Sequence, residues 1–459
     1  MPRVRRGGEG ARRGLAAWSP YYVLLAVVGS LLAYGVVMVL SASSPTSYAS
    51  TGDSYTVFKR QLVWVLAGVA LMLVTSRVDY RIWRRLGLPL LALSLLGLLY
   101  VAVHPGAVSA NGSTRWIPIT GGIAIQPSEF AKLGLLLFAA DVLTRKHRLL
   151  GDVRHLLVPV LPVTLVLAAL VMAQPDLGTT LLVCSIAFGL LFIAGTPLPL
   201  LTLMAGLGLA GGLGLIMKAD YRRERLLSFL DPGASRLSSG YQIIQGRFAL
   251  GSGGLLGVGL GASRQKWSYV PNAHTDFIFA IIGEELGLVG TMAILVLFAA
   301  IAYAGIRAAR NAPEAFGRYL AGGITVWIVV QALVNIGAVV GVLPITGVPL
   351  PFVSAGGSSM LVLLAAAGML LNVAKHEVWR APAPVRATVA GERRRRRPAP
   401  AVRPARAATR TPDGRLSAPV ALAAAEARRR ADPRRPSERP RRAAQPTEPQ
   451  RPHGGLRSR

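Results

Sequence analysis

Apolar residues in this chain come in long uninterrupted runs rather than in the period-2 or period-3.6 patterns of soluble domains. A membrane span needs about 20 mostly apolar residues. Ten stretches meet that need: Pro20 to Leu40, Val57 to Thr75, Leu86 to Val103, Pro127 to Leu143, Leu156 to Ala173, Leu177 to Ala194, Leu198 to Met217, Asp276 to Ile306, Tyr319 to Val342 and Ser358 to Ala374. The pattern predicts an all-α polytopic membrane protein. It has a basic N-terminus over 1–19, a ten-helix membrane domain over 20–375, one large loop over 218–275 between helices seven and eight, and a tail over 376–459. The eighth stretch is long enough to tilt or to project beyond the bilayer.

Between the runs, the polar positions sort into two kinds. One set of turns carries Arg and Lys: five Arg precede Trp18, four lie in Arg77 to Arg85, and Arg145, Lys146, Arg148 and Arg154 follow the fourth run. Arg307, Arg310 and Arg318 follow the eighth. Cytoplasmic loops carry such an excess, so both termini are expected in the cytoplasm. The opposite loops are nearly free of cations except 218–275, which holds eight Lys and Arg; loops near that length escape the rule. Those outward loops carry the dense motifs, so any chemistry is expected to face outward. The last of them, over 343–359, is rich in Pro and Gly and must be irregular. At membrane depth such backbone is tolerated only when buried in protein or lining a cavity.

Composition sharpens this picture at three points. The chain is 52% hydrophobic with a formal net charge of +30, and 22 Arg against 7 Asp and Glu from His376 onward account for half of that excess. The tail, without aromatics after Trp379, is expected to be disordered and to meet anionic inner-leaflet lipid or an acidic partner. No stacking aromatics support nucleic acid as a partner. The single cysteine, Cys184, excludes a disulfide framework within the chain. The run after the basic start lacks a small-residue cleavage site, so no cleaved signal peptide is expected.

Ionisable residues in or beside the runs are Glu129, Lys132, Asp141, Asp176, Asp276, Glu284 and Glu285, and each is a functional hypothesis by default. Asp276 stands where the long loop becomes a hydrophobic helix. On a helix, Ala280, Gly283, Gly287 and Gly290 would share its face, so another backbone or a ligand must come close there. Glu284 and Glu285 would point about 80° and 180° away. The alternative for Asp276 is a helix N-cap. Glu129 and Lys132, three apart, fit an ion pair that is either structural glue or part of a site. Asp176 fits a cap for the sixth helix.

Arg222, Arg223, Arg225, Arg247 and Lys266 concentrate in the large loop, which suits either a solvated face or an anion site, most simply phosphate. Gly257, Gly259 and Ala262 match G-x-G-x-x-A, but no strand precedes them, so a packed or flexible loop is expected. Gly208 and Gly212 form a G-x-x-x-G, expected to pack helices. The six histidines are scattered, and no metal-ligand set stands out.

At "NGSTRWI…QPSEFAK", "QPDLGT", "GYQIIQGRFALGSGG…GVGLGASRQK", "PNAHTDFIFAIIGEELGL" and "GVLPITGVPLPFVSAGGSS", the sequence resembles the SEDS family, the FtsW/RodA group of bacterial cell-shape and division proteins. The resemblance covers about residues 20 to 375. The wording is nearest the actinobacterial division-type members, including Ala355 where many relatives carry Tyr. Ser268 and Asn272 stand where some relatives carry acids, and no acid role is assigned there.

The resemblance implies a peptidoglycan glycosyltransferase that polymerises lipid II at the division septum, in the plasma membrane. It implies work beside a class B penicillin-binding protein that supplies the transpeptidase, among other divisome proteins. Asp276 matches the family's essential Asp by position in the motif. One base suffices when the donor leaves as a lipid diphosphate, whereas a hydrolase would need paired carboxylates. Arg222, Arg223, Arg225, Arg247 and Lys266 become candidates for holding diphosphate, and His274, Ser354 and Ser358 for meeting glycan. No cofactor is required by the sequence; a divalent cation, Mg2+ or Mn2+, could share the diphosphate task. The alternatives are a lipid II flippase and a non-catalytic scaffold that recruits a transpeptidase. A flippase would be expected to show internal repeats, and none is found.

Overall fold

The computed structural model describes residues 19–103, 108–110, 113–118, 124–146, 153–217, 220–231, 233, 239–267, 270 and 273–376. The chain divides into two compact units, Met1–Ala381 and Pro382–Arg459, and every described residue belongs to the first. Residues 1–18 and nearly all of the basic tail lie outside the described set, as do Ser268 and Asn272.

Each of the ten predicted stretches is a helix. They are α1 (Pro20–Thr51), α2 (Thr56–Arg77), α3 (Tyr80–Val103), α4 (Pro127–Arg145), α5 (Val153–Ala173), α6 (Leu177–Ile193), α7 (Leu198–Met217), α10 (Ile278–Asn311), α11 (Ala315–Val340) and α12 (Ser358–Lys375). Pro20 and Pro127 start α1 and α4 at positions where a missing N–H is no loss. Gly52 and Gly341 end α1 and α11 in the left-handed conformation, with φ 73° and 84°. Two further helices, α8 (Asp220–Leu230) and α9 (Ser239–Ser252), lie in the large loop. A small antiparallel sheet, β1 (Val108–Ala110), β2 (Ser113–Pro118) and β3 (Ala124–Ile125), links α3 to α4, with Val108 opposite Trp116 and Ile117 opposite Ile125.

Among the described residues, seven helices are long and apolar enough to cross a membrane unaided: α1, α2, α3, α5, α10, α11 and α12. The apolar lengths of α6 and α7 are shorter. The tenth, α4, carries Glu129, Lys132, Asp141 and Arg145. It is buried along nearly its whole length and tolerates them because they are paired: Glu129 with Lys132 and Asp141 with Arg145 within the helix, and Asp141 also with Arg84 of α3. Most of α12 is buried too, so α4 and α12 form the centre of the bundle. Helix α7 stands outside, with Leu203, Leu207, Leu209 and Leu213 exposed, as a lipid-facing helix should. Gly208 and Gly212, expected to be a packing device, have nothing against them among the described residues. The motif needs a facing helix, and none stands there among the described residues.

The two ends of the bundle are built differently. At the basic end, Asp141 pairs with Arg84 and Arg145, Arg81 pairs with Glu314, and Asn372 ties the start of α3 to the end of α2 through Tyr80 N–H and Ser76 C=O. At the opposite end, the segment 341–357 between α11 and α12 folds back into the bundle. Val348, Leu350, Phe352 and Val353 are buried. Gly35 of α1 makes room for it, since a Cβ there would lie 2.6 Å from Phe352 O. This irregular segment positions the candidate site.

Candidate active site

The turn 273–277 precedes α10, and Asp276 lies in that turn rather than in the helix. The helix starts at Ile278, its N-cap is Phe277, and no side chain caps it. Asp276 is therefore neither the N-cap nor on the face of Ala280, Gly283, Gly287 and Gly290. That face is also interrupted, because Gly287 has φ 64° and ψ −159° and breaks α10 in two.

Three successive carbonyls of the turn are gripped from outside. His274 O accepts Ala355 N–H at 3.0 Å. Thr275 O accepts the Ser354 hydroxyl at 2.7 Å. Asp276 O accepts Asn335 Nδ2 at 2.9 Å. The Asp276 side chain is half-buried, and its carboxylate sits over Gly347, where a Cβ would be 3.7 Å from Oδ2. Gly347 has φ 72°, a conformation that favours glycine.

The gripping loop is itself held. Ser354 Oγ accepts Leu350 N–H at 2.8 Å, and Asn335 Nδ2 also donates to Val348 O at 2.8 Å. Gln331 Nε2 donates to Pro349 O at 3.0 Å, while its Oε1 accepts Trp327 Nε1 at 2.9 Å. Gln61 of α2 donates to Ser354 O and accepts Gly356 N–H. At the start of α6, Gly178 lets Thr346 and Val348 approach, since a Cβ there would lie 2.6 Å from each.

The sequence-predicted residues separate into three groups. Asp176 caps α6 by accepting Thr179 N–H at 3.0 Å, and it pairs with Arg115 at 3.3 Å. Glu129 and Lys132 form a buried pair at 2.9 Å, with the ammonium 5.0 Å from the Trp327 ring centre. Ser354 and Ser358 are both buried; the first holds the aspartate turn and the second accepts Gln126 N–H at 3.3 Å. The Ser354 hydroxyl is thus used by the main chain as both donor and acceptor, while that of Ser358 accepts one main-chain bond.

Lys266 departs most from expectation. It is 5% exposed and donates to Glu285 Oε1 at 3.1 Å, Ser41 Oγ at 3.1 Å and Gly261 O at 2.7 Å. Its three protons are used, so it is not a spare cation for phosphate. Arg247 is exposed and reaches Gly341 O at 3.3 Å, and Arg223 is exposed on α8. Arg222 and Arg225 fall on α8, with side chains outside the described residues. His274 is half-buried; burial first, and then the Arg60 charge, push its ring below the ordinary histidine range and keep it neutral. Among the described residues, no three His, Cys, Asp or Glu side chains stand together as a metal set.

Sequence reasoning missed the second buried cluster. Glu285 is fully buried and accepts Ser41 Oγ at 2.7 Å as well as Lys266. Glu284 accepts the Ser263 hydroxyl and Arg264 N–H. The glycine-rich segment 253–259 lies along the break in α10. Val258 N–H and Gly259 N–H donate to Glu284 O and Glu285 O, and Leu288 N–H and Val289 N–H donate to Gly254 O and Leu255 O. A Cβ at Gly253 would overlap Gly283 O, and one at Gly257 would overlap Glu285 O. Of the bare glycines, Gly287 receives the backbone of Leu255 and Gly257, whereas Gly283 meets the Leu250 side chain and Gly290 that of Leu286.

A family model described as cell cycle protein, of FtsW, RodA and SpoVE, matches residues 22–378. The chain belongs to the FtsW/RodA/SpoVE family. Stage V sporulation protein E of Bacillus subtilis is 40% identical over 358 residues, 78% of this chain and 98% of that protein. The probable peptidoglycan glycosyltransferase FtsW of Mycobacterium tuberculosis is 39% identical over 377 residues, 81% of this chain and 72% of that protein. Among solved structures, a chain of a peptidoglycan synthase complex that coordinates polymerization and crosslinking is 31% identical, with a TM-score of 0.64 over 77% of this chain and 97% of that one. The rod shape determining protein RodA of Thermus thermophilus is 27% identical, with a TM-score of 0.55 over 77% and 96%. The FtsW/RodA/SpoVE match takes in every residue of the aspartate turn and of the loop that grips it.

Proposed function

We propose that this chain is a peptidoglycan glycosyltransferase that polymerises lipid II during cell division, with Asp276 as the general base. The relatives named FtsW supply the reaction class. The observation that carries the residue assignment is a single carboxylate on a turn whose three successive carbonyls are held by Ala355, Ser354 and Asn335. A group clamped through its main chain keeps its side chain aimed, which is what a base needs.

The chemistry fits one carboxylate. The acceptor's sugar hydroxyl loses its proton to Asp276 as its oxygen attacks the anomeric carbon of the donor. The bond to the donor's lipid diphosphate breaks, and the diphosphate leaves with the electron pair. Exposed Arg223 and Arg247, with Arg222 and Arg225, are suited to neutralise that leaving charge; Lys266 instead fixes the fold. Mg2+ or Mn2+, if bound, would share the task of neutralising the diphosphate.

In this reading the aspartate end faces outward and the basic end faces the cytoplasm, as the Arg-rich turns favour. The solved neighbour belongs to a complex that also crosslinks. That supports a transpeptidase of the class B penicillin-binding type as this chain's partner at the septum. The basic tail is assigned to anionic lipid on the inner leaflet.

The test uses purified full-length protein with labelled lipid II in detergent, together with the cognate transpeptidase if the protein is silent alone. Wild type should make polymer. Asp276→Asn should fold and bind its partner but polymerise about 10²- to 10⁴-fold more slowly. Normal polymer from Asp276→Asn would overturn the base assignment. Micelles have no second leaflet, so flipping cannot produce the signal.

A further inference from the structure

An open groove of about 660 Å3 lies between the second half of α1 and residues 260–267. None of its walls comes from the aspartate turn or from the loop that grips it. Val37, Leu40 and Leu260 line it with apolar surface, and Tyr48 and Trp267, both exposed, line it too.

Two counts along the chain give its depth. Arg307 marks the inner end of α10, and about 20 residues cross the hydrocarbon core. Counting back from Ile306 reaches Gly287, where α10 breaks. Exposure agrees: residues 278–285 are buried in protein, whereas Leu288, Val289, Met292 and Val296 are exposed. On α1 the inner aromatic pair is Tyr21 and Tyr22, and the same count from Tyr22 reaches Ser41. The two counts end at one cluster, because Lys266 Nζ joins Ser41 Oγ to Glu285 Oε1. The groove therefore straddles the outer edge of the hydrocarbon core. Val37, Leu40 and Leu260 meet the chain region, and Tyr48 and Trp267 stand where interfacial aromatics gather.

The polar wall at that depth consists of acceptors. Pro45 lies inside α1 and has no N–H to give Ser41 O, four residues before it; both residues line the groove. The Ser44 hydroxyl spends its hydrogen on Leu40 O at 2.6 Å, which leaves only lone pairs. All three protons of Lys266 are taken by Ser41, Gly261 and Glu285. A ligand here must combine a hydrocarbon chain with a headgroup that brings hydrogens.

We propose that this groove is a binding site for one outer-leaflet phospholipid of the ethanolamine type. Its chain lies on Val37, Leu40 and Leu260, and its ammonium donates to the acceptors around Ser41 and Ser44. The lipid thereby fills the seam between α1 and the glycine-rich segment. Asp276 takes no part in it, so the site stands or falls apart from the base assignment.

The test is native mass spectrometry of the delipidated full-length protein, titrated with dioleoyl phosphatidylethanolamine. Wild type should take up one lipid saturably. Phosphatidylcholine with the same chains, whose headgroup nitrogen has no hydrogen, should bind about five- to tenfold more weakly, the value of one hydrogen bond. Leu260→Asn should lose the site while unfolding at the wild-type temperature, since Leu260 is 61% exposed. Ser44→Trp, which fills the groove, should lose it as well. The same change at Leu209 of α7, which is 67% exposed, should leave the bound lipid in place, separating a built site from general lipid contact. Lipid II should not displace the bound phospholipid.

No saturable site, equal affinity for the choline lipid, or displacement by lipid II would overturn the proposal. So would wild-type lipid uptake by Leu260→Asn; if that variant instead lost the transpeptidase, the groove would belong to a protein partner.

Discussion

Two loops close the aspartate end, and they solve different problems. From Ile345 to Ser354 the 341–357 loop is mostly buried, and its Ala355 N–H and Ser354 hydroxyl reach carbonyls of the 274–276 turn and hold them in register. The 253–267 segment exposes Leu255, Leu256 and Leu260 and works through carboxylates of the neighbouring helix, Glu284 and Glu285. The first arrangement aims one side chain and leaves it half-exposed. The second locks a helix break and buries every charge it uses. Damage to the first should therefore appear as lost activity in a folded protein, and damage to the second as lost stability.

The largest expected effect on that contrast comes from Asp276→Asn. Polymerisation should fall by about 10²- to 10⁴-fold, the usual contribution of a general base, while thermal unfolding stays at the wild-type temperature. Next, Lys266→Met strands the buried Glu285 carboxylate. Breaking a buried pair on one side costs about 3–5 kcal/mol, to be read as a lower Tm in detergent. Lys266→Met with Glu285→Gln should recover part of that loss. If Lys266→Met unfolds at the wild-type temperature, the latch has no structural weight.

A smaller loss of stability, about 2 kcal/mol, is expected from Gly257→Ala. Gly257 has φ 81° and its Cβ would overlap Glu285 O. Activity should fall only as far as the folded fraction does. Smallest in stability is Ser354→Ala, at about 1 kcal/mol for the hydroxyl's bonds to Thr275 and Leu350. Its activity should drop further than its stability, because the loosened turn no longer aims Asp276. Equal losses in both would erase the distinction between the two loops.

Much of the architecture was legible along the chain. Ten apolar runs became ten helices because a helix satisfies its own backbone in lipid, whatever its neighbours are. Asp276 was legible as a solitary acid at a loop-to-helix junction, and Asp176 as a cap, since both depend on adjacent residues. The Glu129–Lys132 pair was legible because three residues bring two side chains to one helix face.

What the linear pattern could not carry was every relation across the fold. Lys266 looked like one more loop cation because its acceptors, Ser41 and Glu285, lie 225 and 19 residues away. Gly287 looked like one more small residue on a helix face; only the glycine-rich segment beside it makes it a break, by offering donors and acceptors that replace helical bonds there. Gly208 and Gly212 had the spacing of a packing motif and nothing described to pack against. Local spacing determines which groups an element presents. Only tertiary contact decides which of them are matched, and the groove that Pro45 and Leu260 share is visible in no other way.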